Sequence, residues 1–388
     1  MRWGRIILPA VALGVVLCFA FASVGAARGL TKTEKLGKKL FFDTSLSQPA
    51  GQACAACHGA NVGWTGPVQD VNLNGAVYPG AVDTRFGNRK PPSAAYGGDS
   101  PILHYDADAG SWVGGMFWDG RATGETLGDP LAEQAQGPFL NPLEQNNPDA
   151  AAVVAKVKGS HYAQLFRLVW GKDIFAETTS AYVDIARSIA AFERSKKVSA
   201  YSSKYDAVVA GRARFTAAEK AGEQLFMGTK AKCANCHVPP DFTDFTYDNL
   251  GVPKNPLNPF YTELDVNPLD GAWVDLGLGG YLMSTGADET VYGPELGKFK
   301  VPTLRNVAKA PCPGFVKAYG HNGYFKSLHA IVHFYNTRDV LPWPAPEVDM
   351  NVNTTEVGNL GLTTAQENQI VAFLKTLSDG YAPRNDRK

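Results

Sequence analysis

Two five-residue stretches constrain this chain more than anything else in it: Cys54-Ala55-Ala56-Cys57-His58 and Cys233-Ala234-Asn235-Cys236-His237. Each is a C-x-x-C-H, the spacing for covalent attachment of a c-type haem. Two cysteines three apart can form thioethers to the two vinyl groups of one porphyrin, and the histidine that follows is held beneath the iron. A four-cysteine zinc site would pair two C-x-x-C knuckles, but small zinc modules bring their knuckles far closer together than these. A redox C-x-x-C has no need of a trailing histidine, and here the histidine comes twice. Two haem c groups are therefore expected, with Cys54, Cys57, Cys233 and Cys236 as attachment points and His58 and His237 as proximal ligands.

At 388 residues the chain exceeds the usual single domain. Its formal net charge is zero, so no bulk field points to nucleic acid or to an anionic membrane. The beginning reads Met1-Arg2-Trp3-Gly4-Arg5, an apolar run from Ile6 to about Ala22, then Ser23-Val24-Gly25-Ala26. This is the pattern of a cleaved export signal over residues 1–26, so a periplasmic protein is expected, with outer-surface association left open. No later segment is long and apolar enough to span a bilayer. Removal of the signal takes Cys18 and the haems take four more cysteines, leaving Cys312 without a disulfide partner.

Thr31-Lys32-Thr33-Glu34 forms a capping box for a helix through Leu36, Leu40 and Phe41, which leads into the first haem motif. A second capped helix from Thr216 carries Gly222, Leu225 and Phe226 into the other. The shared Gly-x-x-Leu-Phe pattern reads as a weak internal repeat. Short helices are expected over 148–157 and 162–170, and a longer one over 177–194 with Tyr182, Ile185, Ile189 and Phe192 on one face. A polar junction is placed at 196–205. Residues 238–297 are irregular and rich in Gly, Pro, Asn and Asp, as a segment wrapping a cofactor would be. Helices over 325–336 and from Thr363 or Thr364 onward complete a mainly α fold with extensive loops. Two cytochrome c-like haem domains are expected, 27–200 and 201–388, with the last helix available to pack back on the first.

These residues resemble the bacterial di-haem cytochrome c peroxidases, a family that includes MauG. The resemblance is carried by Leu36 to Asp43 with the first haem motif, by Phe117-Trp118-Asp119-Gly120-Arg121-Ala122, and by Gln134-Ala135-Gln136-Gly137-Pro138-Phe139-Leu140-Asn141-Pro142-Leu143-Glu144. Lys300 to Asn306 and His321-Asn322-Gly323 extend it over nearly all of the mature chain. It implies that hydrogen peroxide meets the N-terminal haem while the C-terminal haem stores or relays an electron. It places Glu144 as the distal acid–base group, Gln134 beside it, Trp118 between the haems, and Arg305 among the residues that bind cofactor.

Two departures separate this chain from the peroxidase pattern. Ordinary members close the first iron with a second histidine, but no histidine lies between His58 and His104, and His104 reads as a surface or loop residue. Ordinary members also bind the second iron through a methionine. The matching position is Tyr335, as in the MauG-like branch, with Met283 in the preceding loop as the spare. A phenolate favours ferric and higher iron relative to a thioether. The tryptophan by which that branch reaches its partner is replaced by Ala231. The inter-haem calcium that the resemblance implies is put in question by Lys90, which stands where an asparagine is expected, and by an insertion around 312–317. A lysine ammonium in the cation's place would reconcile the two.

The function implied is a MauG-like peroxidase that uses hydrogen peroxide to reach a high-valent, bis-Fe(IV)-type state. That state would oxidise an aromatic residue, tryptophan foremost, on a partner protein at long range. Two alternatives stay open: a cytochrome c peroxidase reducing peroxide with electrons from a small cytochrome or cupredoxin, and a plain electron-transfer cytochrome.

Overall fold

The computed structural model describes residues 29–382, so the expected export signal lies outside it. The longer helices are α1 (Lys32–Phe41), α2 (Pro130–Leu140), α3 (Ala150–Gly159), α4 (Ala163–Trp170), α5 (Thr178–Arg194), α6 (Ala217–Met227), α7 (Gly277–Ser284), α8 (Leu328–Thr337) and α9 (Thr364–Lys375). Strands are few and short. His104–Asp106 pairs antiparallel with Ser111–Val113, and Tyr247–Asp248 with Phe299–Lys300. Among the described residues no helix is long and apolar enough to cross a membrane.

The capping boxes act where the sequence puts them. Thr31 and Glu34 exchange side-chain bonds with each other's backbone N–H at the start of α1, and Thr216 and Glu219 do so at α6. Each pair satisfies N–H groups that a helix start leaves without partners. Each helix then delivers a haem motif.

The repeat has a structural cause. α1 crosses α5, and α6 crosses α9, each with a glycine at the contact. A Cβ on Gly37 would lie 1.8 Å from the Ser188 carbonyl oxygen, and one on Gly222 1.9 Å from that of Gln369. One helical turn on, Phe41 meets Phe192 edge-on at 5.5 Å between ring centroids, and Phe226 meets Phe373 at 5.1 Å. Glycine allows the backbones to touch, and the phenylalanine four residues later fills the wedge beside the crossing. Gly37→Ala or Gly222→Ala is therefore expected to cost roughly 1–3 kcal/mol or more through overpacking, read as a lowered thermal midpoint of the holoprotein.

The two largest cores draw on separate stretches, one from Leu36 to Val198 and the other from Phe226 to Leu377. A smaller cluster joins Leu103 to Tyr247, Leu278 and Leu282, so the halves interlock. One expectation needs correction. The last helix, α9, packs on α6 and α8 rather than on the first half, because its apolar face meets Phe226. The polar stretch 196–205 lies between the two cores, with Val198, Ser199 and Ser203 buried and the Tyr96 N–H donating to Ser199 Oγ at 2.9 Å. The irregular 238–297 stretch holds α7 and short 3-10 turns that the composition concealed.

Candidate active site

Each haem motif opens onto its own pocket. Cys54, Cys57 and His58 line the first, together with Gln134, Glu144 and Glu193. Cys233, Cys236, His237 and Tyr335 line the second, a largely apolar cavity of about 220 Å³. Both histidines are prepared in the same way. His58 Nδ1 lies 3.1 Å from the Trp64 carbonyl and His237 Nδ1 2.9 Å from that of Phe242. A carbonyl can only accept, so Nδ1 carries the proton and the Nε2 lone pair is free for a metal. Burial pushes His58 down to about 4 and lowers His237 as well, which keeps both imidazoles neutral as ligands must be.

The residues present fit a haem in each pocket. The motif cysteines and oriented histidines line both, and Arg305 adds a further sign in the second. Its Nη1 pairs with Asp206 at 2.8 Å and its Nε donates to the Pro240 carbonyl, yet Nη2 is buried without a partner. An unpaired guanidinium N–H in an apolar wall suits a carboxylate of the cofactor.

The segment between the pockets is shared. Pro92 and Ser93 line both, and the neighbours Phe117 and Trp118 face the first and second respectively. Phe117 takes a left-handed backbone (φ 65°), uncommon for a bulky residue, and so turns the chain between the two walls. Trp118 is buried, and its Nε1–H donates to the Lys90 carbonyl at 2.8 Å. Arg89 braces the same corner, reaching Asp119 and Asp275 each at 2.6 Å. Arg121 lies 3.8 Å over the Phe117 ring.

In the first pocket Glu144 accepts from Asn141 Nδ2 at 2.7 Å. Burial raises its carboxyl above the ordinary value, while the Asn141 bond and the charge of Arg121 hold it back. Gln134 reaches the same pocket from α2, whose start Asp129 caps. Among the described residues His58 is the only histidine lining this pocket, and His104 is exposed on its short strand. In the second, burial pushes the Tyr335 phenol well up, with the charge of Asp248 adding to it, so the phenol ionises only where a nearby cation stabilises the phenolate. Met283 is exposed on α7 rather than in a loop and does not line that cavity. Ala231 is buried in the cavity wall, and Cys312 lies exposed in its loop.

Glu193 escaped the sequence. It lies in the last turn of α5 beside Phe192, its Oε2 is buried with no partner among the described residues, and burial pushes it up to about 8. Its one legible sign was a charge at a position that continues the buried face of the helix. The folded state holds this proton more tightly than an unfolded chain near 4.5, so stability falls as pH rises from there to about 8. Glu193→Gln removes that penalty. The variant is expected to melt roughly 2–4 °C above wild type at pH 8 and level with it at pH 4, measured by circular dichroism.

Comparisons with known proteins decide the family. A sequence model of the di-haem cytochrome c peroxidase family matches residues 31–214. The methylamine utilization protein MauG of Paracoccus denitrificans (strain Pd 1222) is 34% identical over 366 residues, covering 89% of this chain and 88% of the relative. The chain belongs to the di-haem cytochrome c peroxidase/MauG family. Cytochrome c551 peroxidase of Nitrosomonas europaea is 28% identical over 348 residues, covering 89% and 79%. Among solved structures, the diheme peroxidase BthA from Burkholderia thailandensis E264 superposes with a TM-score of 0.76 at 30% identity, over 91% of this chain and 87% of that one. This family member is thus a peroxidase-type oxidoreductase, and its family implies two haem c and hydrogen peroxide as oxidant.

Proposed function

We propose that this chain is an exported, periplasmic, MauG-like peroxidase that withdraws electrons from an aromatic residue, tryptophan foremost, of a partner protein. The observation that carries the reading is Tyr335 lining the second pocket beside His237, with Met283 exposed elsewhere. The lone histidine of the first pocket supports it, because a pocket without a second imidazole admits peroxide at rest. The two haems would supply the oxidising chemistry, held by Cys54, Cys57 and His58 and by Cys233, Cys236 and His237.

The chain's own residues move protons and position groups. Glu144, its carboxyl raised by burial and held back by the Asn141 bond, takes a proton from one peroxide oxygen and returns it to the other. Gln134 orients the oxidant through its amide. Trp118, fixed by its bond to the Lys90 carbonyl, shortens the electron's path between the pockets. From the long irregular segment, Asp248, Asn249, Leu250 and Val252 line the second pocket.

The test is to add one equivalent of hydrogen peroxide to the diferric holoprotein. A near-infrared charge-resonance band formed without reductant is expected. No change until a reductant is supplied would return the chain to the ordinary peroxidases, whose donors are small cytochromes or cupredoxins. Steady turnover with such a donor, and an unmodified partner, would do the same.

A further inference from the structure

The 312–317 segment ends in a buried lysine that lines the second pocket where loops of the two halves meet. Lys317 Nζ donates to three backbone carbonyls, Val62 at 2.8 Å, Asn306 at 3.0 Å and Lys309 at 3.1 Å. The first belongs to the N-terminal half and the other two to the C-terminal half. The loops meet so closely there that a Cβ on Gly63 would lie 2.8 Å from the Asn306 carbonyl oxygen. Lys90 is buried nearby, with its Nζ on Thr65 Oγ1 at 3.0 Å and on its neighbour's carbonyl, Pro91, at 2.9 Å. Both lysines line the second pocket with Trp118, and among the described residues neither has a carboxylate partner.

Three carbonyls around one nitrogen specify its charge state. A neutral amine has two N–H donors and would turn its lone pair on the third carbonyl; an ammonium has three donors and satisfies all of them. Burial and the charges of Lys90 and Lys309 lower Lys317 well below the ordinary lysine value, but the oxygen cage opposes that pull.

The cage is built from oxygen donors of the kind that bind hard cations, yet it does not fit calcium. Calcium needs six to eight oxygens, usually with carboxylates among them. Here the oxygens converge on a group tethered to the chain, with a second ammonium close by. We propose that Lys317, supported by Lys90, is the inter-haem cation of this chain, a covalently attached ammonium in place of a dissociable divalent metal. It ties Val62 of one half to Asn306 and Lys309 of the other and sets a positive charge in the wall of the second pocket that no change in ambient calcium removes. The inference rests on family membership, not on the partner or oxidised state proposed above.

The experiment uses the ferric holoprotein before any peroxide is added, so its outcome is separable from that reading. Wild type is titrated calorimetrically with calcium chloride to about 10 mM, above the roughly 10⁻³ M limit of extracellular calcium modules, while both haem spectra are recorded. No saturable heat and no spectral change are expected, and treatment with a chelator leaves the spectra as they were. Lys317→Ala opens the cage. With the three carbonyls freed and water able to complete the coordination shell, it is expected to shift the haem spectra and to gain saturable calcium binding with a Kd at least about tenfold below any wild-type value. Stoichiometric calcium binding by wild type would overturn the proposal. So would a Lys317→Ala protein with unaltered spectra and no new metal dependence. If Lys317→Ala does not accumulate as folded protein, the wild-type titration decides alone.

Discussion

Glu144→Gln is expected to slow the reaction of the diferric holoprotein with hydrogen peroxide by roughly 10²- to 10⁴-fold, the span of a positioned acid–base group. The amide keeps the volume and can still accept from Asn141 Nδ2, so the fold and both haem spectra should be retained. It cannot take a proton from peroxide. The pH dependence separates this from a packing effect. Burial raises the Glu144 carboxyl, so the wild-type rate falls as pH drops through a value above the ordinary carboxylate range. The reason is that the base acts only when ionised. In Glu144→Gln that acidic limb disappears. Stopped-flow rates across pH 4 to 8 check it. A variant that is slower yet keeps the limb would remove Glu144 from the proton path.

Tyr335→Met should have the largest effect on the second pocket. A thioether stabilises ferrous iron relative to a phenolate, and axial ligands span about 0.8 V of haem potential. The second haem's potential is expected to rise by a few hundred millivolts, on the order of what an axial exchange achieves. The near-infrared band formed with peroxide should be lost. The site tolerates the change sterically, because the half-buried Tyr335 ring meets Phe334 at 6.2 Å and makes no side-chain hydrogen bond that methionine would forfeit. Spectroelectrochemistry of wild type and variant, side by side, gives the potential. An unmoved potential would mean that Tyr335 only packs against the cavity.

Much of this was legible before folding. The haem motifs announce themselves because thioether attachment demands a fixed spacing on one short turn. The helix starts at Thr31 and Thr216 were readable because a capping box is local. The faces of α5 and α9 were readable from periodicity, since Ile185, Ile189, Ile370 and Phe373 recur at helical intervals and are all buried. The roles of Glu144, Gln134, Trp118 and Tyr335 came from resemblance alone, and a lone carboxylate after Asn141-Pro142-Leu143 would otherwise read as surface.

What stayed hidden depends on contacts between residues far apart in the chain. Glu193 looks like any helix-end charge until α5 buries it against α2 and the first haem motif. Lys317 looks like a solvated lysine shortly after a proline-flanked loop until Val62, some 250 residues earlier, offers its carbonyl. The Gly-x-x-Leu-Phe pattern was visible as a repeat, but its reason, two helix crossings at Gly37 and Gly222, was not.

By itself, then, the sequence determined the cofactor chemistry, the helical class and the missing first-pocket histidine, because each is written in spacings of a few residues. Only the tertiary structure decided what stands between the pockets. Phe117 and Trp118 turn to opposite walls, and the Lys317 Nζ sits within reach of three carbonyls. Both arrangements require loops from the two halves to be held within hydrogen-bond distance, and no local pattern of residue types encodes such a distance.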